Sequence, residues 1–340
     1  MVPNLSAGSG PLSYSRGESM KAVVVSETNG PEGMELREVP EPDHSGKVLI
    51  DVAATGVSFP DLLMTRGEYQ LRPKLPFVSG AEVAGTVLAA PSGAACAVGD
   101  RVMAVTTLGG FAERVAIDPS RVLPLPPELS FAEGAAMVMN YLTAEFALST
   151  RAVLRAGETV VVLGAGGGIG AAAIQIARSG GARVIAVVRR AGMEQHLHTL
   201  GADHVVALGE GWTHRVAECA GGVGVDVVVD PVGGPVFDEA LRVLSPGGRF
   251  LVIGFAAGSI PTVKVNRLLL RNISVAGVAF GAWVGGRPDE LHRLNDSLRE
   301  HVRRGLRPSV GESYELAEVP AALSALAEGR VRGKAVVVQK

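Results

Sequence analysis

The sequence predicts an α/β protein that combines a doubly wound parallel sheet with a separate β-rich region. Between about residues 159 and 281, apolar strands alternate with helical segments, which is typical of a parallel sheet covered by helices on both faces. Residues 20–125 contain short apolar or alternating runs separated by Gly, Pro and Asp turns, and these predict β structure. A chain of 340 residues is long enough for two domains with substantial cores.

The composition argues against several classes of protein. Hydrophobic residues make up 47% of the chain and charged residues 19%, as in an ordered globular protein. The net charge of -2 and the lack of a basic block argue against nucleic acid or an anionic membrane as a partner. The two cysteines, Cys96 and Cys219, are too few for a disulfide framework or a multi-cysteine zinc site, so we expect a cytoplasmic protein.

The chain begins with a segment that lacks the apolar core of a signal peptide. We expect residues 1–19 to form a flexible tail ahead of a first strand at 21–25, with Met20 as a hypothetical native start that intact-mass analysis would test. The proline-rich segment 123–127 cannot continue a sheet, so it ends the β-rich region, and a helix is predicted over 131–154. The other strands predicted in this region are 48–57, 83–89, 101–105 and 114–117.

The region between about residues 159 and 281 contains the predicted strands of the parallel sheet. Their carboxyl ends share one edge of the sheet, and ligands bind outside that edge. We therefore expect the loops at 230–234 and 254–258 to lie beside the turn at 164–170. An amphipathic helix near 288–304, then a further helix and a strand at 335–338, complete the chain. The six predicted strands of the sheet are 160–163, 183–188, 204–207, 226–230, 249–253 and 273–278.

The turn after the first strand of this sheet is rich in glycine. Glycine lets the backbone approach a phosphate closely, and the following helix directs its first amides at a pyrophosphate, so the turn predicts a dinucleotide site. The spacing fits G-x-x-G-x-x-G, because alanine occupies position 165. The uncharged stretch 159–177 also has the length of a membrane span, but its five glycines would make a poor helix. The residues assigned to the phosphates are Gly164, Gly166, Gly167, Gly168, Ile169 and Gly170.

Two arginines at the end of the second strand indicate which dinucleotide binds. An NAD-binding unit carries Asp or Glu about 20 residues beyond the glycines, where it bonds the ribose 2′-hydroxyl. Arg189 and Arg190 occupy that place, and no carboxylate lies between Gly181 and Met193. A guanidinium binds a 2′-phosphate bidentately, so the sequence predicts NADPH rather than NADH. The alternative interpretation is that Arg189 and Arg190 are solvated charges at the end of a strand.

Ordered motifs along the chain resemble the medium-chain dehydrogenase/reductase superfamily, and within it the zinc-independent, zeta-crystallin-like NADPH:quinone oxidoreductases. The motifs are GVSFPD at 56–61, RGEY at 66–69, LPFVSGAEVAG at 75–85, VGDRV at 98–102, NYLTA at 140–144, LGAGGGIG at 163–170, DPVGG at 230–234, SPGGR at 245–249 and GK at 333–334. The resemblance implies a chaperonin-10 (GroES)-like substrate domain, 20–143 and 286–340, with a Rossmann NADPH-binding domain, 144–285, inserted in it. It also implies a homodimer, which we expect to form through the edge strand 273–278.

The motifs depart from those of zinc-dependent alcohol dehydrogenases of the superfamily. Those enzymes have a cysteine ligand near the position of Ser58 and a Gly-His-Glu segment where this chain has Gly80, Ala81 and Glu82. Serine and alanine are poor or impossible zinc ligands, so we predict no metal site. Without a Lewis acid, oxidising a simple alcohol is difficult, whereas a quinone or a conjugated enone accepts hydride readily.

Two polar side chains are candidate catalytic residues. The Tyr69 phenol could donate a hydrogen bond to the oxygen that becomes negative as hydride arrives, and the resemblance implies an equivalent tyrosine in quinone reductases. The alternative is that the Tyr69 ring only packs over apolar side chains. Ser58 is the second candidate, but with Asp61 it also fits a capping box at the start of a short helix that ends at Gly67, and this structural role is favoured.

The resemblance implies further contacts with NADPH. Thr143 follows a position that contacts the nicotinamide end, and Phe255 and Phe280 would either wall the nicotinamide pocket or belong to the core. We expect Ser58, Tyr69, Thr143 and Phe255 to line the substrate cleft. The remaining candidates for cofactor binding are Val232, Gly254 and Lys334.

Together these observations predict a soluble NADPH-dependent oxidoreductase that transfers hydride directly to a quinone or a similar conjugated carbonyl. The main alternative is an enoyl-CoA, enoyl-thioester or enone reductase, for which basic residues at the mouth of the cleft would bind the CoA phosphates. A non-catalytic NADPH-binding protein is a third possibility, and activity with any quinone would argue against it. The basic candidates for the alternative are Arg66, Arg72 and Lys74.

Overall fold

The computed structural model describes residues 14–189 and 191–339, with only the backbone described for 14–18. These residues form two compact units. The first consists of the described residues up to Met139 together with Gly285–Asn295 and 310–339, and the second of Asn140–Val284 and Asp296–Ser309. The predicted domain boundaries, 20–143 with 286–340 and 144–285, stay a prediction. Within the second unit, Ser297 donates a hydrogen bond to Glu145.

Two sheets of short strands form the first unit. Strands are numbered along the chain, and those of this unit are β1 (Tyr14–Val25), β2 (Met34–Pro42), β3 (Val48–Gly56), β4 (Phe77–Val78), β5 (Glu82–Ala89), β6 (Arg101–Val105), β7 (Arg114–Ile117), β8 (Val122–Pro124), β15 (Val310–Tyr314) and β16 (Lys334–Val338). One sheet has the order β2-β1-β4, and the other has the order β15-β16-β3-β5-β6-β8 with β7 paired to β3. All these pairs are antiparallel except β15 with β16.

The start of β1 corrects the predicted tail. Residues 14–19 belong to the strand. Tyr14 lies opposite Pro42 of β2, the register then shifts, and regular pairing runs from Ser19, opposite Pro40, to Val25, opposite Met34. Residues 1–13 of the predicted tail lie outside the described residues. The apolar run at the end of β1 then buries Ala22 and Val23 in a core that also receives side chains from the last helix of the chain.

A single parallel sheet forms the centre of the second unit. Its strands are β9 (Thr159–Leu163), β10 (Arg183–Val188), β11 (His204–Ala207), β12 (Val225–Asp230), β13 (Leu244–Val252) and β14 (Ser274–Gly277). Their order is β11-β10-β9-β12-β13-β14, and every pair is parallel. The chain therefore reverses its direction of travel across the sheet between β9 and β12, where doubly wound sheets bind their ligands. This order confirms the predicted Rossmann architecture.

The helices agree with the predicted alternation. They are α1 (Phe59–Thr65), α2 (Phe131–Glu145), α3 (Gly168–Ser179), α4 (Glu194–Leu200), α5 (Trp212–Cys219), α6 (Phe237–Ala240), α7 (Val265–Arg271), α8 (Phe280–Val284), α9 (Pro288–Arg303) and α10 (Val319–Ala327). The α-helix predicted over 131–154 is shorter in the structure, because α2 ends at Glu145 and a π-helical segment follows at Phe146–Arg151. Across 14–189 and 191–339, no helix has both the length and the apolar character needed to cross a membrane.

Candidate active site

The glycine turn joins β9 to α3 with almost no space for side chains. A Cβ on Gly170 would lie 2.5 Å from the carbonyl oxygen of Gly164 and 2.6 Å from the Cα of Ala165. Gly164 itself has φ of +58°, in the left-handed region that favours glycine. The first amides of α3 have no carbonyl partner inside the helix, and its N-cap Gly167 is exposed. This geometry fits a pyrophosphate at the helix N-terminus.

The segment that follows β10 passes over the same turn. Arg189 comes directly after β10 and is exposed, and it forms no ion pair within the described part of the chain. A Cβ on Gly166 would lie 2.6 Å from the Cε of Met193, so this segment closes over the turn. The structure thus brings the turn and the segment that carries Arg189 together. Arg190 lies outside the described residues.

The loop after β12 reaches the turn from the other side. A Cβ on Gly164 would lie 2.8 Å from the Cγ2 of Val232. The buried Asp230 orders this loop, because its Oδ1 accepts hydrogen bonds from the amides of Val232, at 2.8 Å, and Gly233, at 2.9 Å. Burial raises the pKa of Asp230. The adjoining loop contacts this one, since a Cβ on Gly233 would lie 2.8 Å from Phe255 Cδ1 and 3.4 Å from the carbonyl oxygen of Gly254.

The other two predicted cofactor residues of this unit are buried. Phe280 is 3% exposed and packs against Phe146, with ring centroids 6.5 Å apart, so of its two possible roles the core position is favoured. Thr143 lies near the end of α2 and is also buried, at 8% exposure. Contact of Thr143 with the nicotinamide stays a prediction.

A buried charged cluster occupies the first unit. Lys334 is ion-paired with Glu82, and its Nζ also donates a hydrogen bond of 2.7 Å to Ser58 Oγ. The Ser58 hydroxyl donates to Glu82 Oε1 at 2.5 Å, and the amide of Met139 donates to Glu82 Oε2 at 2.6 Å. The side chains of Lys334 and Glu82 are 4% and 0% exposed. The structure thus brings Ser58, a predicted catalytic residue, into contact with Lys334, a predicted cofactor-binding residue. Contact of Lys334 with NADPH stays a prediction.

Asp61 lies beside this cluster, completely buried. Its carboxylate accepts the amide of Ser58 at 3.0 Å, which is the carboxylate half of the predicted capping box, and the amide of Gly80 at 3.0 Å. Burial, aided by the negative charge of Glu82, raises the pKa of Asp61 from 3.8 to about 7 although both amide bonds act to lower it. Asp61 is therefore a titratable group in the neutral range.

The raised pKa of Asp61 predicts a specific dependence of stability on pH. The folded protein binds this proton more tightly than the unfolded chain, so the stabilisation is complete below pH 3.8 and is lost as the pH rises through about 7. The slope is at most about 1.4 kcal/mol per pH unit. We expect the difference in unfolding free energy between the wild type and Asp61→Asn to decrease from pH 5 to pH 7.5. Urea unfolding at the two pH values measures it, and a difference that stays constant would contradict the assignment.

Tyr69 lies after α1 and is only partly buried. Its ring packs against the apolar core that includes residues of β1 and α10. Burial raises the pKa of its hydroxyl, and the negative charge of Asp61 raises it further. A phenol with a raised pKa remains protonated at neutral pH, so Tyr69 is a hydrogen-bond donor and not a base.

The lysine of the cluster occupies donors that a metal ion would otherwise use. In 14–189 and 191–339, no three His, Cys, Asp or Glu side chains come together in an arrangement that could hold a metal ion. The side chains around Ser58 instead include an ammonium group, which already engages both the hydroxyl of Ser58 and the carboxylate of Glu82. A divalent cation beside these donors would meet a like charge.

Comparisons with known proteins agree with this arrangement. The model of the family described as "Alcohol dehydrogenase GroES-like domain" matches residues 44–127, and that described as "Zinc-binding dehydrogenase" matches 168–298. The quinone oxidoreductase-like protein 2 of Bos taurus is 35% identical over 329 residues, which is 95% of this chain and 94% of the relative. The chain belongs to the medium-chain dehydrogenase/reductase superfamily, in its quinone oxidoreductase family.

Two solved structures are similar to this quinone oxidoreductase family member over nearly its whole length. A probable oxidoreductase from Mycobacterium abscessus is 49% identical, with a TM-score of 0.88 and coverage of 95% of this chain and 99% of its own. The quinone oxidoreductase from Thermus thermophilus, also solved as a complex with NADPH, is 36% identical, with a TM-score of 0.81 and coverage of 94% and 100%. The protein is therefore an oxidoreductase that binds NADPH, with a GroES-like and a Rossmann unit.

The sequence analysis missed two acidic residues, one in each unit. Glu82 appeared in it only as a neighbour of Ala81, and its partner Lys334 is 252 positions away, so no local pattern joins them. Asp230 was part of a predicted loop without a role of its own. Its position as the last residue of an apolar strand, before Pro and two glycines, was the signal that could have identified it.

Proposed function

We propose that the protein uses NADPH to reduce quinones or similar conjugated carbonyls without a metal ion. The observation that carries the proposal is the position of Lys334, whose ammonium group engages Ser58 and Glu82 where zinc-dependent relatives would offer metal ligands. The name of the relatives as quinone oxidoreductases supports the class of substrate. A quinone needs no Lewis acid, because its carbonyls are already strong electrophiles.

The reaction needs a hydride, a proton and a fixed geometry. When bound, NADPH supplies the hydride, which together with one proton converts the quinone to a hydroquinone and leaves NADP⁺. The glycine turn and Arg189 hold the phosphates and thereby orient the reacting ring. Tyr69 donates a hydrogen bond to the substrate oxygen as that oxygen gains negative charge, and solvent water supplies the proton that this oxygen takes up to complete the hydroquinone.

Removing metal ions should not change this activity. We expect dialysis against EDTA and 1,10-phenanthroline to leave the turnover of NADPH with phenanthrenequinone unchanged, and added Zn²⁺ to give no increase, because the Ser58 and Glu82 donors are held by an ammonium group. Steady-state rates before and after dialysis measure the effect. A loss of turnover that Zn²⁺ restores would contradict the metal-free proposal.

Removing the hydroxyl of Tyr69 tests its role as a donor. We expect Tyr69→Phe to lower kcat with a quinone by about 10- to 100-fold, without a change in the KM for NADPH, because the lost bond forms only as charge develops. Tyr314→Phe is the matched control, since this tyrosine is also partly buried against the same apolar core. Equal kcat values for the two variants would remove Tyr69 from the reaction.

We propose that the protein assembles as a homodimer. The strand β14 forms one edge of the six-stranded sheet, and its outer backbone groups have no strand partner among the described residues. The nearby helix α7 exposes apolar side chains, with Val265 at 72% and both Leu269 and Leu270 at 77% exposure. A second copy would cover such an edge, and light scattering in solution tests this.

A further inference from the structure

The exits of β10 and β11 lie side by side at the ligand edge of the parallel sheet. The two strands pair in register, with Val188 opposite Ala207. The amide of Leu208 continues the pairing with a hydrogen bond of 2.7 Å to the carbonyl oxygen of Val188. Arg189 and the segment after β11 therefore leave the sheet as neighbours.

Arg215, on α5, is fixed at this exit. Its Nη2 donates to the carbonyl oxygen of Ala207 at 2.7 Å, and its Nη1 donates to the carbonyl oxygen of Glu210 at 2.9 Å. The residue is nevertheless exposed. A guanidinium has five N–H donors, so donors remain for a ligand after these two bonds are made.

The charge of Arg215 is not neutralised within the described part of the chain. Both of its acceptors are neutral carbonyls, and no carboxylate of the described residues forms an ion pair with it. The nearby acid on the same helix, Glu218, has its Oε1 3.3 Å from His214 Nε2 and forms no ion pair with Arg215. Some arginines of this unit differ in this respect, such as Arg178, which pairs with Asp203. A positive charge that is held rigidly and left uncompensated favours the binding of an anion.

We propose that Arg215 is a further specificity residue, which binds the ribose 2′-phosphate of NADPH together with Arg189. The 2′-phosphate is the group that distinguishes NADPH from NADH, and Arg189 lies where the ribose of a dinucleotide meets the second strand. The pairing of β10 with β11 brings the fixed guanidinium of Arg215 to the same end of the sheet. Two guanidinium groups supply the planar donors that a dianionic phosphate needs.

Cofactor titrations test the assignment. We expect Arg215→Ala to raise the Kd for NADPH by about tenfold or more and to change the Kd for NADH by less than about twofold. Arg215→Gln should show the same loss, because its amide keeps a donor toward the backbone but carries no charge. The matched control is Arg183→Ala, which removes an exposed arginine from the opposite, amino end of β10 and should leave both affinities unchanged.

The outcomes separate this assignment from NADPH binding itself. A selective loss of NADPH affinity in Arg215→Ala and Arg215→Gln supports it. Unchanged NADPH affinity in both variants would overturn it, as would an equal loss of NADPH and NADH affinity, which would show that Arg215 only supports the backbone of 207–210. Arg189→Ala, titrated in parallel, is expected to lose NADPH affinity whether or not Arg215 binds the 2′-phosphate. This titration therefore tests the preference for NADPH separately from the role of Arg215.

Discussion

Replacing Gly170 with alanine is expected to destabilise the second unit by about 3 kcal/mol and to abolish NADPH binding. The new methyl group would lie 2.5 Å from the carbonyl oxygen of Gly164 and 2.6 Å from the Cα of Ala165. Both contacts are with backbone, so no side-chain rotation can relieve them, and the turn must open. The thermal unfolding midpoint and the fluorescence of bound NADPH measure the two effects.

Gly167→Ala is the matched control in the same turn. A Cβ there would meet only the carbonyl oxygen of Gly164, at 3.5 Å, and Gly167 has φ of -88°, which any residue adopts. We expect its unfolding midpoint to match that of the wild type, with weaker NADPH binding because the methyl group lies where the backbone approaches the pyrophosphate. If Gly170→Ala were as stable as Gly167→Ala, the described packing of the turn would be wrong.

Breaking the buried ion pair is expected to have the second large effect. Lys334→Met leaves the carboxylate of Glu82, which is 0% exposed, without its counterion. An uncompensated buried charge typically costs about 3–5 kcal/mol. The unfolding free energy of the first unit, measured by urea denaturation, should fall by that amount.

The double variant Lys334→Met with Glu82→Gln is the control for this effect. It removes both charges, so it should recover a large part of the lost stability. A single variant as stable as the wild type, or a double variant no better than the single, would contradict the described pair. The folded double variant also tests the predicted contact of Lys334 with NADPH, because an unchanged Kd would show that Lys334 does not touch the cofactor.

The features that the sequence predicted well are local. The glycine turn, its strand and its helix are contiguous, and the alternation of strand and helix predicted the parallel sheet because each element carries its own apolar pattern. The capping role of Asp61 was predictable for the same reason, since it acts three positions from Ser58.

The features that were missed depend on long-range packing. The tail prediction failed at 14–19, because the backbone of Tyr14 and that of Ser19 pair with β2, and this polar segment carries no local signal for that pairing. The pKa of Asp61 and the pairing of Glu82 with Lys334 likewise follow from burial, which the local pattern does not encode.

The central claim is metal-free reduction of a quinone by NADPH. The most direct test compares the rate of NADPH oxidation by the purified protein with phenanthrenequinone and with crotonyl-CoA, side by side. We predict faster turnover with the quinone, and Tyr69→Phe should reduce that turnover. Faster turnover with the thioester would contradict the claim and would make the protein an enoyl-thioester reductase, with the exposed Arg66, Arg72 and Lys74 as the residues to test for binding of the CoA phosphates.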